Sequence, residues 1–145
     1  MSSVVATVRQ RLAAPFSPEQ VEFKPTNVAA GKALALAYVE ARTVMDRLDD
    51  VLGVDGWRDE YVVVSPESLL CRLTCRIDGV EVTKVDVGEG DSPKAAVSDA
   101  LKRAAVKFGV GRYLYRLPAE RFPFDATTRT FKVTPTLPAW AIPAK

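Results

Sequence analysis

The feature that most constrains this chain is a change of hydrophobic period in its middle. From Ser68 to Asp78 apolar and polar residues alternate, with Leu69, Cys71, Leu73, Cys75 and Ile77 on one parity; alternation of this kind sends one set of side chains to each face of a strand. Ser65-Pro66 punctuates the start and Asp78-Gly79 the end. Asp-Gly is a strong hairpin signal, because both residues tolerate the positive φ of a two-residue turn. Gly56 to Val64 and Val80 to Val87 read as the flanking strands. The three form an antiparallel meander whose apolar face must be covered. The next segment supplies a cover: Ser92 as N-cap, Pro93 at the first helical position and Gly109 as a stop after Phe108. At about 100° per residue, Val97, Leu101, Ala104, Ala105 and Phe108 share one arc. Arg103 and Lys107 lie opposite with Lys102 beside them, and Ala95, Ala96 and Ala100 permit close backbone approach.

Outside this core the pattern predicts a short helix from Val4 to Ala14, with Val4, Val8 and Leu12 on a stripe, ended before Pro15. A connecting stretch with Pro15, Pro18 and Pro25 follows. After Gly31 a long helix is expected, with Leu34, Tyr38, Ala41, Met45, Leu48 and Leu52 on one face and Gly53 as its stop. Beyond Pro118 the chain is proline-spaced and reads as a wrapping arm rather than a second domain, with Trp140 anchoring it in a groove. The expectation is one α+β domain over residues 1–145: N-terminal helices, then a three-stranded antiparallel meander packed on a long helix, with 118–145 as a C-terminal arm.

Composition narrows the chemistry. Hydrophobic residues make up 48% and charged residues 26% of 145 residues, a globular balance. No apolar run approaches the roughly 18 residues a membrane span needs, and the N-terminus lacks a secretory pattern; a cytoplasmic location, with no membrane partner, is expected. The chain has no histidine, which removes the commonest general acid-base group and metal ligand. Cys71 and Cys75 share the apolar strand face and are read as buried and reduced, since a zinc site needs further good ligands. No Walker-type loop occurs and Gly109-Val110-Gly111 is too short for a nucleotide fingerprint. No cofactor, nucleotide, metal or catalytic residue is expected.

Charge is polarised along the chain. Residues 1–101 hold 11 Lys+Arg against 16 Asp+Glu, whereas residues 102–132 hold Lys102, Arg103, Lys107, Arg112, Arg116, Arg121, Arg129 and Lys132 against Glu120 and Asp125. Such a segment attracts polyanions, although a solvated basic surface fits charge alone equally well. From Ala100 to Tyr115 there is no acidic residue. Cations on a helix suit phosphates, and Arg112-Tyr113-Leu114-Tyr115-Arg116 interleaves Arg with rings that stack on unpaired bases for about 1–3 kcal/mol each. Simpler readings stand beside these: Asp99 and Arg103 have the spacing of a surface ion pair, and Tyr113 and Tyr115 suit half-buried packing.

The run Asp99-Ala100-Leu101-Lys102-Arg103-Ala104 through Phe108-Gly109, with Gly111-Arg112-Tyr113-Leu114-Tyr115, resembles the signature of the Rad fifty-two type single-strand annealing family, and within it the bacterial DNA damage response (DdrA-like) branch. Further matches occur in the same order at Ala13-Ala14-Pro15-Phe16, Ala41-Arg42, Asp46-Arg47-Leu48-Asp49, Gly56-Trp57, Asp86-Val87-Gly88-Glu89-Gly90 and Leu137-Pro138-Ala139-Trp140. The resemblance implies a β-β-β-α core assembled side by side into a homo-oligomeric ring, with single-stranded DNA in a basic groove, backbone inward and bases outward. It assigns DNA binding first to Lys102 and Arg103. Lys107, Arg112, Arg116 and Tyr113 are added from charge and spacing, and Lys24 and Lys32 as a further basic edge. Val106 stands where the eukaryotic pattern has another basic residue, and the Gly90 to Pro93 connection is shorter; an outer DNA site and duplex annealing are therefore not carried over.

The expected function is a non-catalytic DNA-repair protein that coats or protects single strands and 3′ ends, with annealing of complementary strands left open. Two alternatives belong to other classes. One is a metal-dependent nuclease using Asp46, Asp49, Asp50, Asp55, Asp59 and Glu60, for which a solvated acidic face is the simpler account. The other is a structural ring that binds an acidic partner instead of DNA.

Overall fold

The computed structural model describes residues 6–144. The chain forms two compact units, one from the residues up to Ala14 together with Glu40–Arg112, the other from Pro15–Val39 together with the chain from Tyr113 onward.

The first unit is built on a three-stranded antiparallel sheet of β3 (Trp57–Ser65), β4 (Ser68–Ile77) and β5 (Val80–Glu89), in that spatial order. Its register sets Tyr61, Cys71 and Asp86 in one cross-strand row and Asp59, Leu73 and Lys84 in the next. The expected hairpin is present: Asp78 and Gly79 both have positive φ, +52° and +80°. Cys71, Leu73 and Cys75 are fully buried on the face the alternation assigned. Burial pushes the Cys71 thiol up to about 11 and the Cys75 thiol to about 12, so both stay protonated at neutral pH.

Helix α3 (Pro93–Val106) covers this face against β4 and β5. It starts where expected, with Ser92 Oγ accepting the Ala95 N–H at 3.2 Å and Pro93 in the first turn. Its buried side differs from the expected arc: Ala96, Ala100, Leu101, Ala104 and Ala105 are buried, whereas Val97 and Phe108 are half-buried. The reason is a glycine seam. A Cβ on Gly88 would lie 2.1 Å from the Ala100 nitrogen, and one on Gly90 would lie 2.5 Å from the Ala95 Cβ. The strand therefore comes so near that alanines, not larger side chains, fill the line of contact.

Helix α1 (Val8–Ala13) is shorter than the Val4–Ala14 expectation. Thr7 and Gln10 form a reciprocal capping box that starts it; Val4 and Val5 lie outside the described residues. Helix α2 (Ala41–Leu52) buries Val44 and Leu48 and ends at Gly53, with φ +87°. Arg47 on α2 donates to the Arg11, Leu12 and Ala14 carbonyls at 3.2, 3.1 and 2.7 Å, satisfying acceptors that the end of α1 leaves open. Fully buried Leu12, Leu48 and Leu73 each contribute about 1.5–3 kcal/mol of apolar burial.

The second unit corrects two expectations. Residues expected in the connecting stretch and the start of the long helix instead form β1 (Glu22–Ala29) and β2 (Lys32–Tyr38), an antiparallel pair. The arm expected beyond Pro118 contributes β6 (Arg121–Asp125) and β7 (Thr130–Phe131), giving a sheet in the order β1-β2-β6-β7. Pro25 is tolerated because β1 is an edge strand. Arg121 ties the β1–β2 turn to β6 by donating to the Ala29 and Lys32 carbonyls at 3.1 and 3.2 Å. Phe124 is buried and meets Phe131 edge-on, with ring centroids 5.1 Å apart. Trp140, expected to anchor the arm in a groove, is instead 53% exposed; Ala141 beside it is the buried residue of that turn.

Candidate nucleic-acid interface

Within the first unit, α3 carries Lys102 and exposed Arg103, its C-cap is exposed Lys107, and the segment after it carries Arg112. Arg112 acts on the backbone, donating from Nε to the Val106 carbonyl at 3.0 Å and from an Nη to the Lys107 carbonyl at 2.9 Å. It thereby satisfies carbonyls left open at the end of α3, where a cation also complements the helix dipole.

These cations have different surroundings. Arg103 is half-exposed and directs Nε to Asp86 Oδ1 at 3.4 Å. It shares a surface recess of about 360 Å³ with Asp86, Glu89 and Asp99. The Asp99–Arg103 pair suggested by spacing gives way to other contacts: Asp99 accepts the Glu89 N–H at 3.0 Å while Arg103 turns to β5. Lys102 is half-buried.

Lys107 sits at the other end of this surface. Its ammonium donates to the Val85 carbonyl and lies 3.9 Å from Asp86 Oδ2. It also lines a groove of about 760 Å³ together with Arg9 of α1, Lys84 of β5 and Arg112. Four cations from three separated segments thus converge, and Asp78 is the one carboxylate among the described lining residues. Apolar side chains also line the groove, among them Ile77, Val80, Val82 and Phe108. Lys84 Nζ stands 5.6 Å from the centroid of the Phe108 ring, a cation–π distance.

The other sequence-predicted residues lie in the second unit. Tyr113 is buried, and its hydroxyl accepts the Phe16 N–H at 2.9 Å. That corrects its assignment as a base-stacking residue: the ring is a packing element, its polar end satisfied internally. Tyr115, 72% exposed, is the accessible ring of the pair, and Arg116 is exposed beside it. Lys24 is exposed on β1 with its ammonium 4.9 Å from the Tyr38 ring centroid, and Lys32 is exposed at the start of β2.

Sequence reading missed Arg9 and Lys84. Lys84 stands among uncharged or acidic neighbours on β5, Arg9 has only Arg11 as a basic neighbour on α1, and only the fold brings them beside Lys107 and Arg112. The acidic residues weighed as a nuclease centre are partly committed elsewhere: Asp49 accepts the Trp57 Nε1–H at 2.7 Å, and Asp59 accepts the Tyr61 hydroxyl at 2.7 Å. Among the described residues no group of three or more Asp, Glu or Cys side chains is arranged to hold a metal ion.

Comparison with known proteins gives the lineage. A family model described as Rad52/22 family double-strand break repair protein matches residues 4–127. The chain belongs to this family. Rad52/22 relatives of high similarity include two proteins named single-stranded DNA-binding protein DdrA. The one from Deinococcus radiodurans is 43% identical over 146 aligned positions, covering 96% of this chain and 69% of the relative. The one from Deinococcus deserti is 42% identical, covering 96% and 72%. The chain is thus a DdrA-like member of the Rad52/22 family, as its separated motifs implied.

Proposed function

We propose that this protein binds single-stranded DNA in DNA repair, coating and protecting single strands and 3′ ends without catalysing a reaction. The observation that carries the reading is the convergence of Arg9, Lys84, Lys107 and Arg112 on one groove. A row of cations on rigid elements is what a flexible phosphate chain requires, and it binds without regard to sequence. The names of the two relatives support the same ligand. Lys102 and Arg103 extend the contact along α3, and Arg116, Lys24 and Lys32 supply further phosphate contacts.

Residues 1–145 act in this reading as one DNA-binding and oligomerisation domain, assembling side by side into a ring. The order β3-β4-β5 supports such assembly, since β3 and β5 each have a sheet neighbour on one side only among the described residues. The location is the cytoplasm of a bacterium or a phage-infected cell, in association with the nucleoid; no described helix is long and apolar enough to cross a membrane.

Titration of a fluorescent oligothymidylate against the protein at several salt concentrations tests the proposal. Saturable binding that weakens steeply with salt is expected, with a slope of about −0.7 for each neutralised phosphate. Absence of binding at low salt overturns the reading in favour of a protein-binding ring. Protein-dependent cleavage of the strand with Mg²⁺ or Mn²⁺ overturns the non-catalytic assignment. Mass in solution, with and without the oligonucleotide, reports assembly, and mixing complementary strands separates annealing from protection.

A further inference from the structure

Helix α3 covers one face of the β3-β4-β5 sheet, and the other face carries an apolar row that runs from edge to edge. In the register Val62 of β3 lies beside Leu70 of β4, and Leu70 beside Val87 of β5. Their parity is opposite to that of buried Cys71, Leu73 and Cys75, so the row looks away from α3. Val62 is 53% exposed, Val87 36% and its neighbour Val85 39%, while Leu70 is half-buried. Natural sheets commonly place charge along an edge strand to keep it solitary. The chain from Tyr61 to Pro66 has none.

The β5 edge is different in its main chain. In the two-residue hairpin Val80 bonds to Ile77, so alternate residues from Val80 point their backbone groups at β4, while Val85, Val87 and Glu89 point theirs outward. Those outward groups are engaged. Lys107 donates to the Val85 carbonyl, the Val87 N–H donates to Asp86 Oδ1 at 2.7 Å, and the Glu89 N–H donates to Asp99 Oδ2 at 3.0 Å. A regular ladder cannot grow along this half of β5 while those bonds hold, so a neighbour meets it through side chains.

We propose that a second copy of this chain covers the row, placed alongside so that Val85 and Val87 on the β5 edge of one protomer pack against Val62 on the β3 edge of the next. The inference rests on the homo-oligomer reading and names the surface that assembly uses. A row reaching both edges offers on one side what the other side accepts, and repetition makes it continuous from copy to copy. Charge fits the same occupant. On this face β3 carries Arg58 and β5 carries Glu81, which already meet across β4 within the protomer at 2.7 Å. A copy placed alongside brings the same unlike charges to the seam, as a polar rim beside the valines. The contact is heterologous, one edge against the other, and closes into a ring when the rotation from copy to copy divides a full turn. Val82 and Lys84, which line the cationic groove, have the opposite parity to Val85 and Val87, so contact and cations occupy different faces of β5.

Mass in solution tests this for wild-type protein, Val62→Lys and Val87→Lys, with thermal melting to show that each is folded. Wild-type protein is expected to be an oligomer, and each variant to fall to single-copy mass at the same concentration. Each variant keeps one intact edge. An equimolar mixture of the two is therefore expected to form a two-copy complex and nothing larger, which a symmetric contact would not give. Val62→Thr and Val87→Thr, which keep the branched shape, serve should a lysine unfold the protein, and a lowered mass is expected of them on dilution. Unchanged mass in the folded variants, or a mixture without the two-copy complex, overturns the seam. A single-copy mass for wild-type protein overturns the homo-oligomer reading instead.

Discussion

Two cations four residues apart, Arg103 in the last turn of α3 and Lys107 at its C-cap, sit in contrasting surroundings. Arg103 shares its recess with Asp86, Glu89 and Asp99, so the local field there is close to neutral or acidic. Lys107 also touches Asp86, but it opens onto a groove where Arg9, Lys84 and Arg112 join it. The linear charge run is the same for both. What separates them is which other residues the fold brings alongside: the end of β5 and Asp99 of α3 in one case, α1 and the β4–β5 hairpin in the other. A basic stretch in a sequence is a supply of cations; a site arises where distant elements add to it and carboxylates stay away.

The largest expected effect comes from the seam both regions share. Gly88→Ala would drive a methyl group into the α3 backbone, and backbone cannot move aside as a flexible side chain can. A destabilisation of about 3 kcal/mol or more is expected, read as a lowered urea midpoint; an unchanged midpoint would mean that β5 and α3 are not this close. Next comes charge reversal in the groove. Arg9→Glu combined with Lys107→Glu should weaken oligothymidylate binding by at least about thirtyfold at fixed salt, measured by fluorescence anisotropy. Arg103→Glu should cost clearly less, and an equal or greater loss would invert the comparison.

Salt dependence sharpens it further. Lys107→Ala should reduce the slope of log affinity against log salt by about 0.7, the share of one phosphate, while Arg103→Ala should change it less. The smallest effect is expected from Asp86→Asn. The carboxylate holds Arg103 and Lys107 at 3.4 and 3.9 Å in partly exposed pairs, which are worth about 0–1 kcal/mol. Removing its charge should therefore raise affinity by no more than about fivefold; a weaker complex would mean that Asp86 positions the two cations rather than competing for them.

The meander and its covering helix were legible in the sequence because every local signal agreed: alternation in β4, Asp-Gly at its end, and Ser-Pro before α3. The β1–β2 hairpin was not. Ala30 and Gly31 turn it with φ of +53° and +74°, and alanine rarely adopts positive φ, so the turn carries no residue signature. Lys32–Tyr38 is rich in Ala and Leu, which favour helix; pairing with β1 and β6 overrides that preference. Leu34 and Tyr38 then extend the spacing of α2 by coincidence. At the candidate site, Lys107 and Arg112 were legible from charge alone. Arg9 and Lys84 were not, since cations outside the basic run gain meaning only from the fold. Tyr113 was misassigned because a ring beside arginines looks the same in sequence whether its hydroxyl meets water or the Phe16 amide.

The bare α-carbons of Gly88 and Gly90 have a mechanical consequence. Two hydrogens, where other residues carry a methyl or more, let the strand and helix backbones touch, and that contact sets the gap across which Lys84 and Asp86 face Lys107 and Arg103. The spacing of the charges that meet a polyanion is thus gauged by atoms the chain leaves out, and any side chain added there would widen the aperture before it altered a single charge.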